Sequence, residues 1–420
     1  MLKKSNALWK IIFAIILAIF FGAWAGEDKG FFGITYFSLF TIFGTIFLNA
    51  LTLIVVPLVS SSIITGVARL GSEKSFGRLG GKMFAFYLGT SLLAILIGLF
   101  FVNIIAPGNS ITHTAPIENH IDLQSNAEGQ SAINFLMQII PPNIVDVFSQ
   151  GHMLSLICFS LIFGYAISKI DSHPSTILQG FWQGIFQAMI RITQIVMKFL
   201  PYGVFCLVAK TFATTGFQSL QSLVLFFITT LAGLAAFMFI GLPLLLKMIG
   251  HVNPFRHFKA MSPALITAFS TSSSSATLPI TIDCVEKRAG VSNRICSLVV
   301  PLGTSINMSG SALYACIAAM FVAQAYGIQI SFATQFVIAF LALITSIGVA
   351  GVPSASLVGI LIILHVIGLP AEGIGLFIAV DRILDMCRTT VNVFSDSCCA
   401  VLVARSEGEN VLSSDPAPLP

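Results

Sequence analysis

Residues 374–396 read Ile374-Gly-Leu-Phe-Ile-Ala-Val-Asp381-Arg-Ile-Leu-Asp385-Met-Cys-Arg388-Thr-Thr-Val-Asn392-Val-Phe-Ser-Asp396, and Cys398-Cys-Ala-Val-Leu-Val-Ala404 is apolar again. At about 100° per residue, Asp381, Asp385, Arg388, Asn392 and Asp396 fall within an arc of about 80° on one helix face. Ionisable groups at membrane depth are costly and face a bundle interior or an aqueous cavity, which marks them as a functional site. Both signs of charge share this face, so it suits a ligand that carries both. Internal ion pairing that only locks helices together is the plainer alternative. One pair would favour it; five groups on one stripe favour a site.

The rest of the chain sets the class. Of 420 residues, 56% are hydrophobic and only 9% charged, against roughly 25% charged in an ordinary soluble domain. Apolar runs of about 20 residues, long enough to span a bilayer, recur from Leu8 to Ala404 with no polar linker between them. This is the composition of a polytopic all-α membrane protein. Helices are expected near 8–25, 38–68, 82–106, 145–168, 176–206, 219–248, 292–325 and 371–405. Two further apolar stretches, 254–290 and 331–369, are each interrupted midway by Gly, Pro, Ser or Thr. Such breaks are tolerated only where the loosened backbone is buried in protein or lines a cavity. No residue-level repeat stands out, but the interrupted stretches occupy similar places before long helices, which hints at an inverted structural repeat.

Basic residues set the orientation. Lys3, Lys4 and Lys10 open the chain, Arg69, Lys74, Arg78 and Lys82 surround the second turn, and Lys169 follows the fourth helix. Lys247, Arg256, Lys259, Lys287, Arg288 and Arg294 flank the first interrupted stretch, and Arg405 follows the last helix. No Lys or Arg occurs from Met83 to Ser168, a span that holds the polar loop Gly108–Ser131. The positive-inside rule then places both termini in the cytoplasm and that loop outside. The net charge of +4 is topological, and no basic patch supports a nucleic-acid role. Ala23-Trp-Ala25 resembles a signal-peptide cleavage site, but the first span is read as uncleaved because every later segment also stays in the membrane. The eight Cys show no metal-ligand spacing, and the adjacent Cys398 and Cys399 read as helix-packing thiols. Of seven scattered His, His365 lies within the second hairpin; for it a packed histidine is a commoner reading than a proton relay. The tail Ser406–Pro420 reads as polar and disordered.

Three polar motifs interrupt the apolar background. The first hairpin turns at Ser270-Thr-Ser-Ser-Ser-Ser-Ala-Thr277-Leu-Pro279. These hydroxyls would be unsatisfied in lipid, so they meet protein, water or ligand. A tip of this kind exposes backbone N–H groups that can hold a carboxylate; a serine-rich linker is the soluble-protein counterpart. The seventh helix carries Gly303-Thr-Ser-Ile-Asn307-Met-Ser309-Gly310-Ser311. Unwinding at Gly310 would free carbonyls as hard ligands for an alkali cation, whereas a small-residue packing seam is the alternative. The second hairpin breaks at Ser346-Ile-Gly-Val-Ala-Gly-Val-Pro353-Ser-Ala-Ser356, a small, flexible gate or else a Pro kink. Tyr87, Thr90 and Ser91 share one face of the third helix and alone would be routine interhelical hydrogen bonders.

Ser272-Ser-Ser-Ser-Ala-Thr-Leu-Pro279, Asn307-Met-Ser-Gly-Ser311, Ala350-Gly-Val-Pro353 and Asp381-x-x-x-Asp385-x-x-Arg388-Thr-x-x-Asn392-x-x-x-Asp396 occur in that order. Together they resemble the dicarboxylate/amino acid:cation symporter family, the glutamate transporter homologues, over nearly the whole chain. The resemblance implies eight transmembrane helices plus two re-entrant helical hairpins, a homotrimer, and an elevator motion. In residues 1–406, helices 1, 2, 4 and 5 would form the scaffold. Helices 3, 6, 7 and 8 with hairpins 254–290 and 331–369 would form the transport part, and 407–420 a cytoplasmic tail. By matching positions, Asp385 would hold the substrate ammonium, Arg388 its side-chain carboxylate, and Asn392 with the backbone around Ser274 its α-carboxylate. Thr389, Ser311 and Val352 would complete the pocket. A guanidinium fork suits a carboxylate bidentately. Family members for neutral amino acids lack this arginine, and those for plain dicarboxylates lack this aspartate. The chain has both, which points to aspartate or glutamate.

The same resemblance implies sodium as coupling ion. Carbonyls of Gly303, Asn307 and Asn392 with the Asp396 carboxylate would form one site. Ser305 with carbonyls of Ser346, Ile347 and Val349 would form a second. A third, in the family, joins Tyr87, Thr90, Ser91 and Asn307 to an aspartate that is Ser309 here, which predicts weak occupancy and fewer sodium ions per substrate. The arginine that the family often carries at the serine tip or after the second aspartate is replaced by Ser272 and Met386, with Arg382 a substitute to weigh. The expected activity is sodium-driven symport of an acidic amino acid across a bacterial inner membrane. The rival readings are a proton-coupled carrier, one for neutral amino acids or dicarboxylates, an anion channel, and a membrane enzyme built on an Asp381–Asp385 dyad. Arg388 would keep such a dyad ionised, against the shared proton it needs.

Overall fold

Lipid offers the backbone no hydrogen-bond partner, so apolar spans fold as helices that satisfy themselves. The computed structural model describes residues 2–31, 34–72, 76–110, 142–150, 153–215, 218–328, 330–348 and 356–412. Among these, the only β-structure is the short antiparallel ribbon Gly30–Phe31 with Ile34–Thr35. The helices are α1 (Leu2–Ala25), α2 (Tyr36–Ser72), α3 (Phe76–Ile105), α4 (Ile144–Gln150), α5 (Met153–Lys169), α6 (Ser172–Val196), α7 (Leu200–Thr215) and α8 (Gln218–Ala236). They continue as α9 (Leu242–Met248), α10 (Pro254–Thr271), α11 (Ser274–Asp283), α12 (Asn293–Ile306), α13 (Ser309–Ala325), α14 (Phe332–Gly348), α15 (Ser356–Val366) and α16 (Ile378–Ser406). The segments Tyr36–Ala68, Arg78–Asn109, Leu220–Met248 and Asn293–Ala325 are each long and apolar enough to cross a bilayer, and α6 and α7 are so when taken together across their bend. The protein is an integral, multi-pass, all-α membrane protein.

Large apolar side chains such as Phe13, Phe20, Leu53, Phe100 and Phe239 point outward, as lipid-facing residues do. The centre is α13 with the second half of α16, where every residue from Val391 to Ala404 is buried. Helix α3 packs on α13, α10 and α12 pack on α16, and α14 and α15 pack on α13. On the other side α1 packs on α7, and α2 on α5, α6 and α7.

Four local features depart from, or refine, the sequence reading. The fifth span is not one rod: α6 and α7 meet at 60° across a 3-10 turn at Met197–Phe199. Pro201, in the first turn of α7, has no N–H to give back to the preceding turn, so the helix restarts there. The seventh span breaks at Asn307 and Met308, whose ψ values are 66° and 57°, while Gly310 stays in the first turn of α13. The first hairpin turns at Ser272 (φ 50°), with the Ser273 hydroxyl capping α11 through the Ala276 N–H. The tip of the second, 349–355, lies outside the described residues.

The tail is the clearest correction. Residues 407–412 are packed, not disordered; 413–420 lie outside the described residues. Gly408 (φ 87°) turns the chain back after α16. Glu407 pairs with Arg78 at 3.0 Å and Lys82 at 2.6 Å. Glu409 accepts from the Ser292 N–H at 3.0 Å and from its hydroxyl. Arg405 donates to the Gly250 carbonyl at 2.9 Å, and the Leu412 N–H to the Ala289 carbonyl at 3.1 Å. A six-residue strap thus ties the end of α16 to the base of α3 and to the segment that leads into α12.

Candidate substrate and cation site

The five polar residues on α16 all turn inward: Asp381, Asp385, Arg388, Asn392 and Asp396 are each at most 4% exposed. Arg388 sits in the middle. Its guanidinium donates to Asp385 Oδ1 at 2.6 Å and to Asp381 Oδ1 at 3.3 Å, and lies 4.1 Å from the centre of the Tyr314 ring. Tyr314 also donates its hydroxyl to Asp381 Oδ1 at 2.8 Å. Arg382 reaches the other oxygen of Asp385 at 3.3 Å. Asp381 and Asp385 are therefore each held by a guanidinium. Phe226 and Phe377 close around Tyr314 and Phe321 contacts both of them, so this charge cluster has an aromatic floor from α8, α13 and the start of α16.

One turn further along, Asn392 links α16 to the broken seventh span. Its Oδ1 accepts the Gly310 N–H at 2.8 Å, and its Nδ2 donates to Ser311 Oγ at 3.1 Å. In an unbroken helix the Gly310 N–H would bond to the Ile306 carbonyl, so the Asn392 amide satisfies the donor that the break releases. The Ile306 carbonyl loses its helical donor in exchange. Such carbonyls are hard oxygen donors of the kind an alkali cation takes.

Asp396 sits beside this break. Its Oδ1 accepts from Asn307 Nδ2 at 2.9 Å, whereas Oδ2 is buried and has no hydrogen-bond partner among the described residues. A Cβ on Gly303 would lie 2.6 Å from Asp396 Oδ1, so only glycine lets α12 approach this carboxylate. An orphaned, buried carboxylate oxygen beside freed carbonyls fits a small monovalent cation; a charge buried without compensation is otherwise costly.

The remaining expected residues are unevenly placed. Ser274 and Thr389 are buried, and α11 carries Ser274 against α16. Ser305 is half-buried on α12, which packs on α14. Ser346, on α14, is buried with its hydroxyl donating within its own helix to the Leu343 carbonyl at 2.7 Å. Val349, Val352 and the side chain of Ile347 lie outside the described residues. Thr90, Ser91, Asn307 and Ser309 do meet in one buried cluster, which Tyr87 joins only through its carbonyl, since its hydroxyl donates to the Val299 carbonyl. Sequence reasoning missed Tyr314, since an aromatic in an apolar helix looks like core. It left Arg382 open and did not weigh Ser395, whose hydroxyl contacts both Asn307 and Ser309 at 3.1 Å. Position on the Asp381 face gave no signal for Ser395, which lies just off it.

Comparison with known proteins places the chain in a family. The family model described as Sodium:dicarboxylate symporter family matches residues 7–406. The chain is 36% identical over 413 residues to a proton/sodium-glutamate symport protein of Bacillus caldotenax, covering 97% of this chain and 96% of the relative. It is 32% identical over 412 residues to the proton/glutamate-aspartate symporter of Escherichia coli (strain K12), covering 96% and 93%. Excitatory amino acid transporter 3 of Homo sapiens is 34% identical over 445 residues, covering 94% and 84%. A match along almost the entire chain, with the buried charges of α16 inside it, decides the relationship: the chain belongs to the sodium:dicarboxylate symporter family.

Proposed function

We propose that the protein is a secondary active symporter that carries aspartate or glutamate into the cell together with sodium. The observation that carries this reading is the buried Asp385–Arg388 pair, with Asn392 about one turn and Asp396 about two turns beyond Arg388. A guanidinium and a carboxylate on one face complement the carboxylate and ammonium of an acidic amino acid, and binding would exchange internal pairs for pairs to the ligand. Asp385 then takes the ammonium, Arg388 the side-chain carboxylate, and the free N–H of the Asn392 amide the α-carboxylate with the backbone at Ser274. Ser311, Thr389 and Val352 line the same pocket.

Sodium is cargo here. Asp396 with the carbonyls of Gly303, Asn307 and Asn392 holds one ion, and Ser305 with carbonyls of Ser346, Ile347 and Val349 a second. The bacterial relatives' names support a glutamate or aspartate substrate, and two of them also name the proton, which favours proton coupling as the second reading. The assembly is a homotrimer in a bacterial inner membrane with both termini cytoplasmic. Its eight spans and two re-entrant hairpins divide into a fixed scaffold and a moving transport part. Uptake of labelled aspartate, glutamate, serine and succinate by proteoliposomes, under imposed sodium or proton gradients, tests the whole reading. Gradient-driven accumulation of aspartate or glutamate is expected with sodium. Accumulation with a proton gradient alone would overturn the sodium assignment, and passive anion flux without accumulation would make the protein a channel.

A further inference from the structure

The cluster around Ser309 has a closed hydrogen-bond pattern. Asn307 is fully buried, and its Nδ2 lies 2.9 Å from Asp396 Oδ1 and 3.1 Å from Ser395 Oγ. A carboxylate only accepts, so the amide can face Asp396 only with its NH2, which fixes Oδ1 on the opposite side. That oxygen accepts from Ser309 Oγ at 3.0 Å. Thr90 Oγ1 is also 3.0 Å away, but its single proton is shared with the Phe86 and Tyr87 carbonyls at 2.9 and 3.1 Å. Ser309 Oγ also faces Thr90 Oγ1, but at 3.5 Å, so Asn307 Oδ1 is its nearer acceptor and Ser309 is the donor that Asn307 depends on. The Ser309 oxygen in turn has the Ser395 and Ser91 hydroxyls at 3.1 and 3.2 Å, both able to donate to it. Cys399 Sγ, 3.7 Å from both Thr90 Oγ1 and Asn307 Nδ2, closes the far side.

The hydroxyl protons of Thr90, Ser91, Ser309 and Ser395 each have an acceptor within this network or on α3. An aspartate at 309 could not donate to Asn307 Oδ1; two acceptors would face each other, and a cation between them would be the natural remedy. A serine needs none. We propose that Ser309 is a positioning residue that replaces a cation: its proton orients the Asn307 amide toward Asp396 and joins α3, the α12–α13 break and α16 without a bound ion. The Tyr87–Thr90–Ser91–Asn307–Ser309 cluster therefore does not fit sodium, and Asn307 Oδ1 is not a sodium ligand. This inference rests on the symport reading above and narrows its ion count.

The test is the sodium dependence of aspartate binding to the purified full-length protein, measured by calorimetry. The slope of log Kd against log sodium concentration counts the ions taken up with the substrate; about two are expected for the natural chain and about one more for Ser309→Asp. A slope of about three in the natural chain, or no change in Ser309→Asp, overturns the proposal. Ser309→Ala should weaken apparent sodium affinity about tenfold through the misoriented amide, and Ser309→Thr, which keeps the hydroxyl, should restore it. Equal sodium affinity in Ser309→Ala overturns the positioning role. If aspartate does not bind at all, the symport reading falls. The rise of unfolding temperature with sodium in the absence of substrate then decides the ion count alone: steeper in Ser309→Asp supports the proposal, and the same steepness refutes it.

Discussion

Arg388 and Asp385 lie one helical turn apart on α16 and bond to each other at 2.6 Å, both almost fully buried. Two opposite charges withdrawn from water are tolerable because each compensates the other and Asp381, Arg382 and Tyr314 complete the shell. A ligand that brings its own ammonium and carboxylate can replace these pairs without leaving a charge alone. A ligand with only one of the two groups would strand a buried charge, which is a physical basis for selectivity.

Arg388→Cys should therefore abolish aspartate and glutamate uptake, by at least about a hundredfold in apparent affinity, because removing one partner of a buried pair costs about 3–5 kcal/mol. Membrane-inserted protein should persist, which immunodetection in isolated membranes checks. Unchanged aspartate affinity in the variant would refute the assignment of Arg388.

Asp385→Asn keeps the shape of the side chain and removes the charge to which the proposed function assigns the substrate ammonium. Aspartate binding should weaken far more than any residual succinate binding, read as the ratio of the two inhibition constants against labelled glutamate. Succinate outcompeting aspartate in the unaltered protein would remove the amine-binding role altogether.

The stripe on α16 was legible because charged residues inside an apolar run are informative in themselves, and a helical period aligned them. The break in the seventh span was legible in kind but misplaced toward Gly310. What decides its position is a tertiary partner: the Asn392 amide takes the Gly310 N–H, so Gly310 can remain helical and Asn307 and Met308 unwind instead. The strap was not legible at all. Polar residues near a terminus read as disordered, and the partners that order Glu407 and Glu409 are more than 100 residues away in sequence. Tyr314 escaped for the opposite reason, since its ring does belong to the aromatic core and only its hydroxyl and face serve the charges.

Glu407 gives a pH prediction outside the membrane. Hydrogen bonds from Lys82 and Arg78 hold its carboxyl below the usual range. A depressed carboxylate contributes stability that is present above the ordinary value of about 4.3 and is lost as pH falls through the folded-state value. Amide exchange at Leu412, whose N–H is bonded to Ala289, should accelerate as pH is lowered below about 4, beyond the intrinsic pH effect on exchange. Glu407→Gln should show the faster exchange already at neutral pH and lose the extra acid dependence. Identical protection in both proteins across this range would mean that the strap is held by Glu409 and Arg405 alone.

Gly303 tests the cation site without touching a charged group. A methyl at this position would sit 2.6 Å from Asp396 Oδ1 and 2.7 Å from its Cγ, closer than any real contact, so either α12 or the carboxylate must shift. Moving the carboxylate separates it from Asn307 Nδ2 and from the carbonyls at the α12–α13 break, with which it makes up the proposed sodium site. Gly303→Ala should weaken apparent sodium affinity at least about tenfold, with a smaller loss of aspartate affinity at saturating sodium, since a hydrogen bond to a charged group contributes about 1.5–3 kcal/mol. Gly180→Ala is the matched control, because nothing lies within 4 Å of the added methyl there. Sodium titrations of aspartate uptake in proteoliposomes separate the two effects. A Gly303→Ala protein with the sodium affinity of the control would show that Asp396 does not hold the ion.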